Sequence, residues 1–213
     1  MDRPILFSAP MVRALLDGRK TMTRRVLDAW CDEPPAFVDG GVITAYDEHD
    51  RPYRWPRTYA IGDRLYVREA WHAARSLDGT PPRDIPRDAD IEHAATARSY
   101  AEIGLKGKLR PAMFLPRWAS RLTLIVTDVR VQRLQEISEE DAIAEGVECW
   151  SEPGLVSWRV DDAMSFVGAV DAYHLLWDEL NAKRGYGWHE NPWVVCLSFE
   201  VHRCNIDQMP RAA

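Results

Sequence analysis

The segment at 122–131, Leu-Thr-Leu-Ile-Val-Thr-Asp-Val-Arg-Val, constrains the fold more than any other part of the chain. Most of its residues are β-branched or otherwise apolar, and polar residues bound it, a pattern typical of a β-strand. Partial alternation of apolar residues at 64–71 predicts a second strand, and the apolar run at 193–201 predicts a third. A short strand is predicted at 5–7. The chain is therefore expected to build a β-sheet.

Helical patterns lie between these predicted strands. A helix that begins after Ser8, a good N-cap, has apolar residues at helical spacing, and a second helix at 139–145 follows Ser138. A glycine ends each helix, which leaves Glu145 at the end of the second. A third helix is predicted from the apolar face formed by Val170, Tyr173, Leu176, Trp177 and Leu180. These patterns together predict an α+β protein.

The length of 213 residues is near the upper end for one compact domain. Hydrophobic residues make up 46% and charged residues 28%, which is ordinary for a globular protein. Weak periodicity predicts a long insertion at about 72–117, with one short helix near 89–101, and a second insertion at about 149–169. We expect one domain over residues 1–203, followed by a disordered tail at 204–213.

The chain has four cysteines, which lie far apart: Cys31, Cys149, Cys196 and Cys204. None forms a C-x-x-C pair, and the histidines lack the spacing of metal ligands, so we expect neither a metal site nor a cofactor. The pattern of a signal peptide is missing, and no apolar stretch approaches the roughly 20 residues of a membrane span. We therefore expect a cytoplasmic protein without a membrane partner.

The net charge of −6 argues against non-specific binding to duplex nucleic acid. Such binding depends on many Lys and Arg residues that neutralise phosphates, although a local basic patch would still allow RNA to bind. The nine tryptophans suit both core packing and stacking on flat heterocycles. The composition therefore favours a small-molecule ligand over a nucleic-acid polymer.

The polar residues directly after Gly18 form the first candidate site. Lys20, Thr23 and Arg25 lie within six positions, so one turn could direct an amine, a hydroxyl and a guanidinium towards a common point. On spacing alone, a solvated basic loop is the commoner explanation. A second candidate is Glu69, because an acid on an otherwise apolar strand face needs a partner or a function.

The pattern Gly18-x-Lys20-x-x-Thr23-x-Arg25 resembles the signature of the ASCH family. The segment at 61–67 resembles the Gly-Asp strand of that family, and the segment at 134–146 resembles its helix that ends in Glu-Gly. The matches lie in the same order along the chain, and the chain also resembles proteins common in phage and prophage genomes. The resemblance implies a PUA-like (ASCH) mixed β-barrel with flanking helices and two insertions.

A compact branch of the ASCH family hydrolyses N4-acetylcytidine with a Lys-Thr-Glu constellation. Thr23 stands where many other members have Glu, so this chain resembles the amidohydrolase branch. The resemblance implies Lys20 as the base, Thr23 as the nucleophile, and Glu145 as the residue that positions Lys20 or protonates the leaving amine. Burial can lower the pKa of a lysine towards neutrality, and a threonine hydroxyl needs such a base. The expected partner is a modified nucleoside or base.

Six residues are candidates for substrate binding. Arg25 could stabilise an oxyanion, and Glu69 could pair with Arg25 or with the edge of cytosine. Four aromatic residues could stack on a base, although core packing is the commoner role for each. These are Phe7, Trp71, Tyr186 and Trp193.

Two other functions fit the same residues. A PUA-like module could bind RNA or a modified base without altering it, and a ribonuclease could use a Lys and Glu pair for acid–base cleavage. The negative net charge counts against both functions. A positive stripe would favour RNA binding, and its candidate residues are Arg24, Arg25, Arg68, Arg117 and Arg121.

Overall fold

A computed structural model gives the structure of the chain and describes residues 1–27, 37–39, 42–46, 52–54, 59–97, 106–152, 155–159 and 168–210. The helices are α1 (Ala9–Leu16), α2 (Glu139–Ala144) and α3 (Ala169–Asn181). The strands are β1 (Asp2–Leu6), β2 (Met22–Val26), β3 (Phe37–Asp39), β4 (Val42–Tyr46), β5 (Pro52–Arg54), β6 (Arg64–Arg68), β7 (Trp71–His72), β8 (Glu92–His93), β9 (Thr123–Arg133), β10 (Glu148–Glu152), β11 (Leu155–Arg159) and β12 (Trp193–His202).

The largest sheet has five strands in the order β1-β6-β9-β12-β2. β1 is parallel to β6, whereas β6 and β9 are antiparallel, as are β12 and β2. Three smaller sheets are formed by β3-β4-β5, β7-β8 and β10-β11. The predicted α+β class is confirmed.

The five-stranded sheet is open in the part of the chain that the structure describes. Closing a barrel requires every strand to have two hydrogen-bonded neighbours. The outer strands β1 and β2 each have one such neighbour in this sheet. The expected barrel is therefore not closed among the described residues.

The chain packs as two compact units. The first comprises Met1–Asp17, Arg64–Ile125 and Val201–Ala213, and the second comprises Gly18–Asp63 and Val126–Glu200. The prediction of one domain over residues 1–203 stays a prediction.

The expected insertion at 72–117 belongs to the first unit. Four residues form a buried cluster there: Trp71, Ala73, Ile85 and Leu115. The helix expected near 89–101 is wrong for residues 89–97, which form turns and the two-residue strand β8. Residues 98–101 lie outside the described part. Here tertiary packing on the small cluster outweighs the weak helical propensity of the segment.

The sequence predicts a disordered tail from residue 204, but residues 204–210 are packed in the first unit. Ile206 has no exposed surface. The Asn205 amide donates hydrogen bonds to the carbonyls of Arg117, Trp118 and Ser120. Burial of the Ile206 side chain and the hydrogen bonds of the Asn205 amide therefore hold the segment in place.

The second unit contains α2 and α3. The Ser138 hydroxyl accepts a hydrogen bond from the Asp141 backbone N–H, so the predicted N-cap of α2 is confirmed. Gly146 follows with φ of 102°, a conformation that favours glycine and ends the helix before the chain reverses. In the region of the second expected insertion, β10 and β11 form an antiparallel pair, and residues 153–154 and 160–167 lie outside the described part. None of the described helices is long and apolar enough to cross a membrane.

Candidate functional site

The site in the second unit is built where the start of β2 meets the end of α2. Lys20 and Glu145 form an isolated antiparallel β-bridge. Next to it, the Thr21 backbone N–H donates to the Ala144 carbonyl over 2.8 Å. Two residues far apart in sequence are thus fixed side by side by their main chains, before any side-chain contact is considered.

The side chains of Lys20 and Glu145 make a buried ion pair. The Lys20 ammonium donates to Oε2 of Glu145 over 2.6 Å, and also to the Glu145 carbonyl oxygen over 2.8 Å. The exposed fractions of the two residues are 1% and 3%. Ion pairs at this depth are poorly screened, so the Glu145 carboxylate strongly influences the proton affinity of Lys20.

Two further groups hold the other oxygen of the Glu145 carboxylate. Arg24 Nη1 donates to Oε1 over 3.3 Å, and the Tyr173 hydroxyl donates to it over 3.5 Å. Arg24 also donates through Nη2 to Oδ2 of Asp141 over 2.5 Å. The partly exposed Arg130 donates to Oδ1 of the same aspartate over 3.1 Å. The carboxylates and cations therefore alternate along one continuous network.

Burial shifts the proton affinities of several groups in this network. Desolvation lowers the pKa of Lys20, the Glu145 carboxylate opposes that shift, and the charges of Arg25 and Arg24 add to it. Desolvation, followed by the Glu145 charge, raises the pKa of Tyr173 well above its usual value. Burial also raises the pKa of the Cys196 thiol, to about 12. The site therefore favours neutral tyrosine and thiol groups and weakens the hold of Lys20 on its proton.

Thr23 is also buried, with 3% of its surface exposed. It is the second residue of β2 and lies opposite Leu197 of β12. Because side chains alternate along a strand, Thr23 and Arg25 share one face of β2, and Met22 and Arg24 share the other. Among the described residues, no hydrogen bond joins the Thr23 hydroxyl to the Lys20 amine.

Arg25 is half-buried and lies within electrostatic range of the ion pair. Desolvation lowers its pKa, whereas the nearby Tyr59 and Glu145 act in the opposite direction. Its charge in turn lowers the pKa of Lys20. Of the residues predicted from sequence, Lys20, Glu145 and Arg25 therefore share one electrostatic environment.

Glu69 lies in the first unit and has a partner that the sequence did not predict. Its two carboxylate oxygens accept hydrogen bonds from Nε and Nη2 of Arg121, each over 2.9 Å. The residue is 1% exposed. The two-point geometry occupies both oxygens, so the expectation that Glu69 pairs with Arg25 is replaced by a structural pair with Arg121.

The four candidate aromatic residues divide into two groups. Phe7 and Trp71 are buried in the first unit, at 5% and 0% exposure, so their rings serve the core and cannot stack on a ligand in this state. Tyr186 and Trp193 are half-buried in the second unit. The guanidinium of Arg133 lies 4.3 Å from the centre of the Trp193 ring, and that of Arg184 lies 5.9 Å from the Tyr186 ring.

Sequence reasoning missed the roles of Arg24, Asp141 and Tyr173 at the site. Two of them had a detectable signal. Arg24 follows Met22 at the spacing of one strand face, and Asp141 precedes Glu145 by four residues, the spacing of one helix face. Tyr173 had none, because its place on the apolar face of α3 is equally typical of a core residue.

Comparisons of the chain with protein-family models, with curated proteins and with solved structures found no match. Within the described ranges, no cluster of three or more His, Cys, Asp or Glu side chains is arranged to hold a metal ion.

Proposed function

We propose that the chain is an amidohydrolase that cleaves the N4-acyl amide of acylated cytosine or cytidine, releasing the cytosine compound and a carboxylic acid. The observation that carries this proposal is the buried contact of 2.6 Å between Lys20 Nζ and Glu145 Oε2. The ASCH resemblance assigns catalytic roles to both residues, and burial lowers the pKa of the amine. A buried lysine with a weakened hold on its proton is a suitable general base.

The proposed reaction has two steps. Neutral Lys20 accepts the Thr23 hydroxyl proton while the oxygen bonds to the acyl carbon. The C–N4 bond then breaks, and the proton passes to the departing exocyclic amine, either from Lys20 or from Glu145. Water next attacks the acyl-threonine ester, which releases the carboxylic acid and restores the hydroxyl. Arg25 supplies positive charge for the oxyanion in both steps.

Substrate binding has a defined task in this proposal. The Lys20 amine and the Thr23 hydroxyl are not hydrogen-bonded to each other in the described structure. Catalytic hydrogen bonds are often long in the absence of substrate and tighten in the complex. The proposal therefore requires that substrate binding brings the hydroxyl within reach of the amine.

The proposed fold is PUA-like, of the ASCH type. The α+β class and the placement of the Glu-Gly end of α2 beside Lys20 support this assignment. Two of the three segments that carry the resemblance thus meet at one place, which a chance match of short motifs would not require.

An alternative is a module that binds a modified base without altering it. The absence of a Lys20–Thr23 hydrogen bond among the described residues favours this reading over catalysis. RNA binding is less favoured, because carboxylates already neutralise three arginines of the expected stripe. Arg24 pairs with Glu145 and Asp141, Arg117 with Asp2 and Asp207, and Arg121 with Glu69.

The test is an ultraviolet assay of N4-acetylcytidine and N4-benzoylcytidine hydrolysis. Wild type is expected to convert the acylated chromophore to cytidine, and Thr23→Ala is expected to lose at least about a hundredfold in rate. Thr23→Ser keeps the hydroxyl and is expected to retain activity. Thr21→Ala, at an exposed neighbouring threonine, is the matched control.

The outcomes separate the candidate functions. An inert wild type on every N4-acyl substrate contradicts the amidohydrolase proposal, and binding of the same compounds without turnover supports the module that reads a base. Equal rates for Thr23→Ala and wild type would leave hydrolysis standing but remove Thr23 as the nucleophile.

A further inference from the structure

Arg24 joins the Lys20–Glu145 pair to a second carboxylate. Lys20 contacts Oε2 of Glu145, whereas Arg24 contacts Oε1, so the two cations hold opposite oxygens of one carboxylate. The other end of the guanidinium contacts Asp141 over 2.5 Å. Arg130 contacts Oδ1 of Asp141 over 3.1 Å. A chain of alternating charges thus runs from a partly exposed arginine to the buried lysine.

Stability alone does not account for a guanidinium at this position. The Arg24 side chain has no exposed surface, and its Nε has no hydrogen-bond partner among the described residues. Burying a cation and leaving one N–H unpaired both oppose folding. The same face of β2 carries the apolar Met22, so an apolar residue would fit the strand pattern. The arginine therefore points to a role in the site.

The charge of Arg24 acts on Lys20 in two ways. It lowers the pKa of Lys20 directly, because two cations repel each other in a poorly screened site. It also holds the Glu145 carboxylate, which pairs with Lys20, through the contact with Oε1. The negative charge of Asp141 is expected to act on Lys20 in the opposite sense to that of Arg24. Its contact with Arg24 also fixes the guanidinium in place.

Other charged and titratable groups surround the pair from the elements packed on it. They contribute in both variant and wild-type protein, so differences between variants isolate the substituted charge. These groups are Arg25 of β2, Arg130 of β9, Tyr173 of α3, Cys196 of β12 and, near Arg25, Tyr59 and Arg184.

We propose that Arg24, held by Asp141, is a positioning residue that fixes the Glu145 carboxylate and sets the protonation state of Lys20. The kinetic consequence rests on the proposed function, because it assumes that neutral Lys20 is the base. The proton affinity of Lys20 itself can be measured without any substrate.

Two charge substitutions are expected to act in opposite directions. Arg24→Met removes a cation and raises the pKa of Lys20 by about one pH unit. Asp141→Asn removes an anion of similar shape, with 15% of the aspartate side chain exposed, and lowers the pKa of Lys20 by about half a unit. Arg24→Lys keeps the charge, so the pKa of Lys20 is expected to return towards that of wild type. A purely structural role predicts no such opposition of sign.

The measurement is a pH titration of lysine side-chain amines by NMR, with nitrogen-15 in the lysines. The chain is suited to it, because it has only four lysines: Lys20, Lys106, Lys108 and Lys183. The last three are exposed and serve as internal references in every sample. Lys20→Arg assigns the remaining signal, and the double variant Lys20→Arg, Arg24→Lys does so for Arg24→Lys, which carries a fifth lysine. The pH dependence of N4-acetylcytidine hydrolysis is recorded for the same variants, and its acidic limb is expected to follow the Lys20 titration.

The inference is supported if the Lys20 titration moves up in Arg24→Met, moves down in Asp141→Asn and recovers in Arg24→Lys. It is overturned if the titration is unchanged in all variants, or if both charge substitutions move it in one direction. If Arg24→Met does not fold by circular dichroism, the other two variants decide. The protein could show these titration shifts and yet cleave no N4-acyl substrate. That result would support this inference and contradict the proposed function.

Discussion

The Lys20 ammonium contacts Glu145 twice, once at the carboxylate and once at the carbonyl of the same residue. The side chain therefore continues a contact that the backbone bridge of the two residues begins. Both partners are almost fully buried. Removal of either charge therefore leaves the other as an unpaired buried charge, which destabilises the fold.

Glu145→Gln tests this contact. The substitution keeps the shape but leaves Lys20 and Arg24 without their shared carboxylate, so we expect the free energy of unfolding to fall by about 3 kcal/mol. Urea denaturation followed by circular dichroism measures it. Glu140→Gln, on the exposed side of the same helix, is the control. Equal stability of the two variants would show that the pair makes no net contribution.

Glu69→Gln distinguishes a structural acid from a substrate-binding one. The Glu69 side chain is 2% exposed and both its oxygens contact Arg121, so the substitution is expected to lower the free energy of unfolding by about 3 kcal/mol. The KM for N4-acetylcytidine is expected to stay unchanged.

Glu92→Gln is the matched control, because it breaks a partly exposed pair with Lys106, and such pairs contribute about 1 kcal/mol or less. A raised KM with full stability in Glu69→Gln would restore the substrate-binding role.

Ile206→Ala tests how the last described segment is held. The side chain is fully buried, and its truncation is expected to cost about 2 to 4 kcal/mol through lost burial and a residual cavity. Gln208→Ala, two residues later and exposed, is expected to leave stability unchanged. Thermal unfolding of the two variants compares them, and an equal Tm would show that the segment does not pack on the first unit in solution.

Cys196 is expected to lower the free energy of unfolding as the pH becomes alkaline. Burial raises the pKa of its thiol from 9.0 to about 12, whereas the thiol of the unfolded chain ionises near its ordinary value. The folded state therefore binds more protons between these values. The contribution of the protonated thiol to the free energy of unfolding is complete below about pH 8.5. It is lost as the pH rises towards 12, by about 1.4 kcal/mol per pH unit.

Urea denaturation at several pH values from 8 to 11 measures this loss. In Cys196→Ala the free energy of unfolding is expected to fall less steeply with pH than in wild type. The part of the decrease due to Tyr173, whose pKa is also raised, is still present in that variant. Cys149→Ala removes an exposed thiol and is the control. An identical slope for Cys196→Ala and wild type would contradict the prediction.

Local patterns predicted α2 and β9, two of the elements that carry the site, but not the strand β2, which carries Thr23, Arg24 and Arg25. The β-branched run at 122–131 became β9, and the Ser138 cap with its acidic first turn became α2. These features follow from interactions within a few residues, namely strand pairing propensity, N-capping and helix spacing. Weakly periodic segments were less predictable, and residues 89–97 form turns and a short strand instead of a helix.

The sequence by itself determined which residues could do chemistry, because amine, hydroxyl and carboxylate groups stand at Lys20, Thr23 and Glu145. Only the tertiary structure decided which of them meet. In the folded chain Lys20 pairs with Glu145, and Arg24 lies between two carboxylates. Glu69 pairs with Arg121. The physical reason is that an ion pair depends on distance and burial in three dimensions, and neither is encoded in the spacing of residues along the chain.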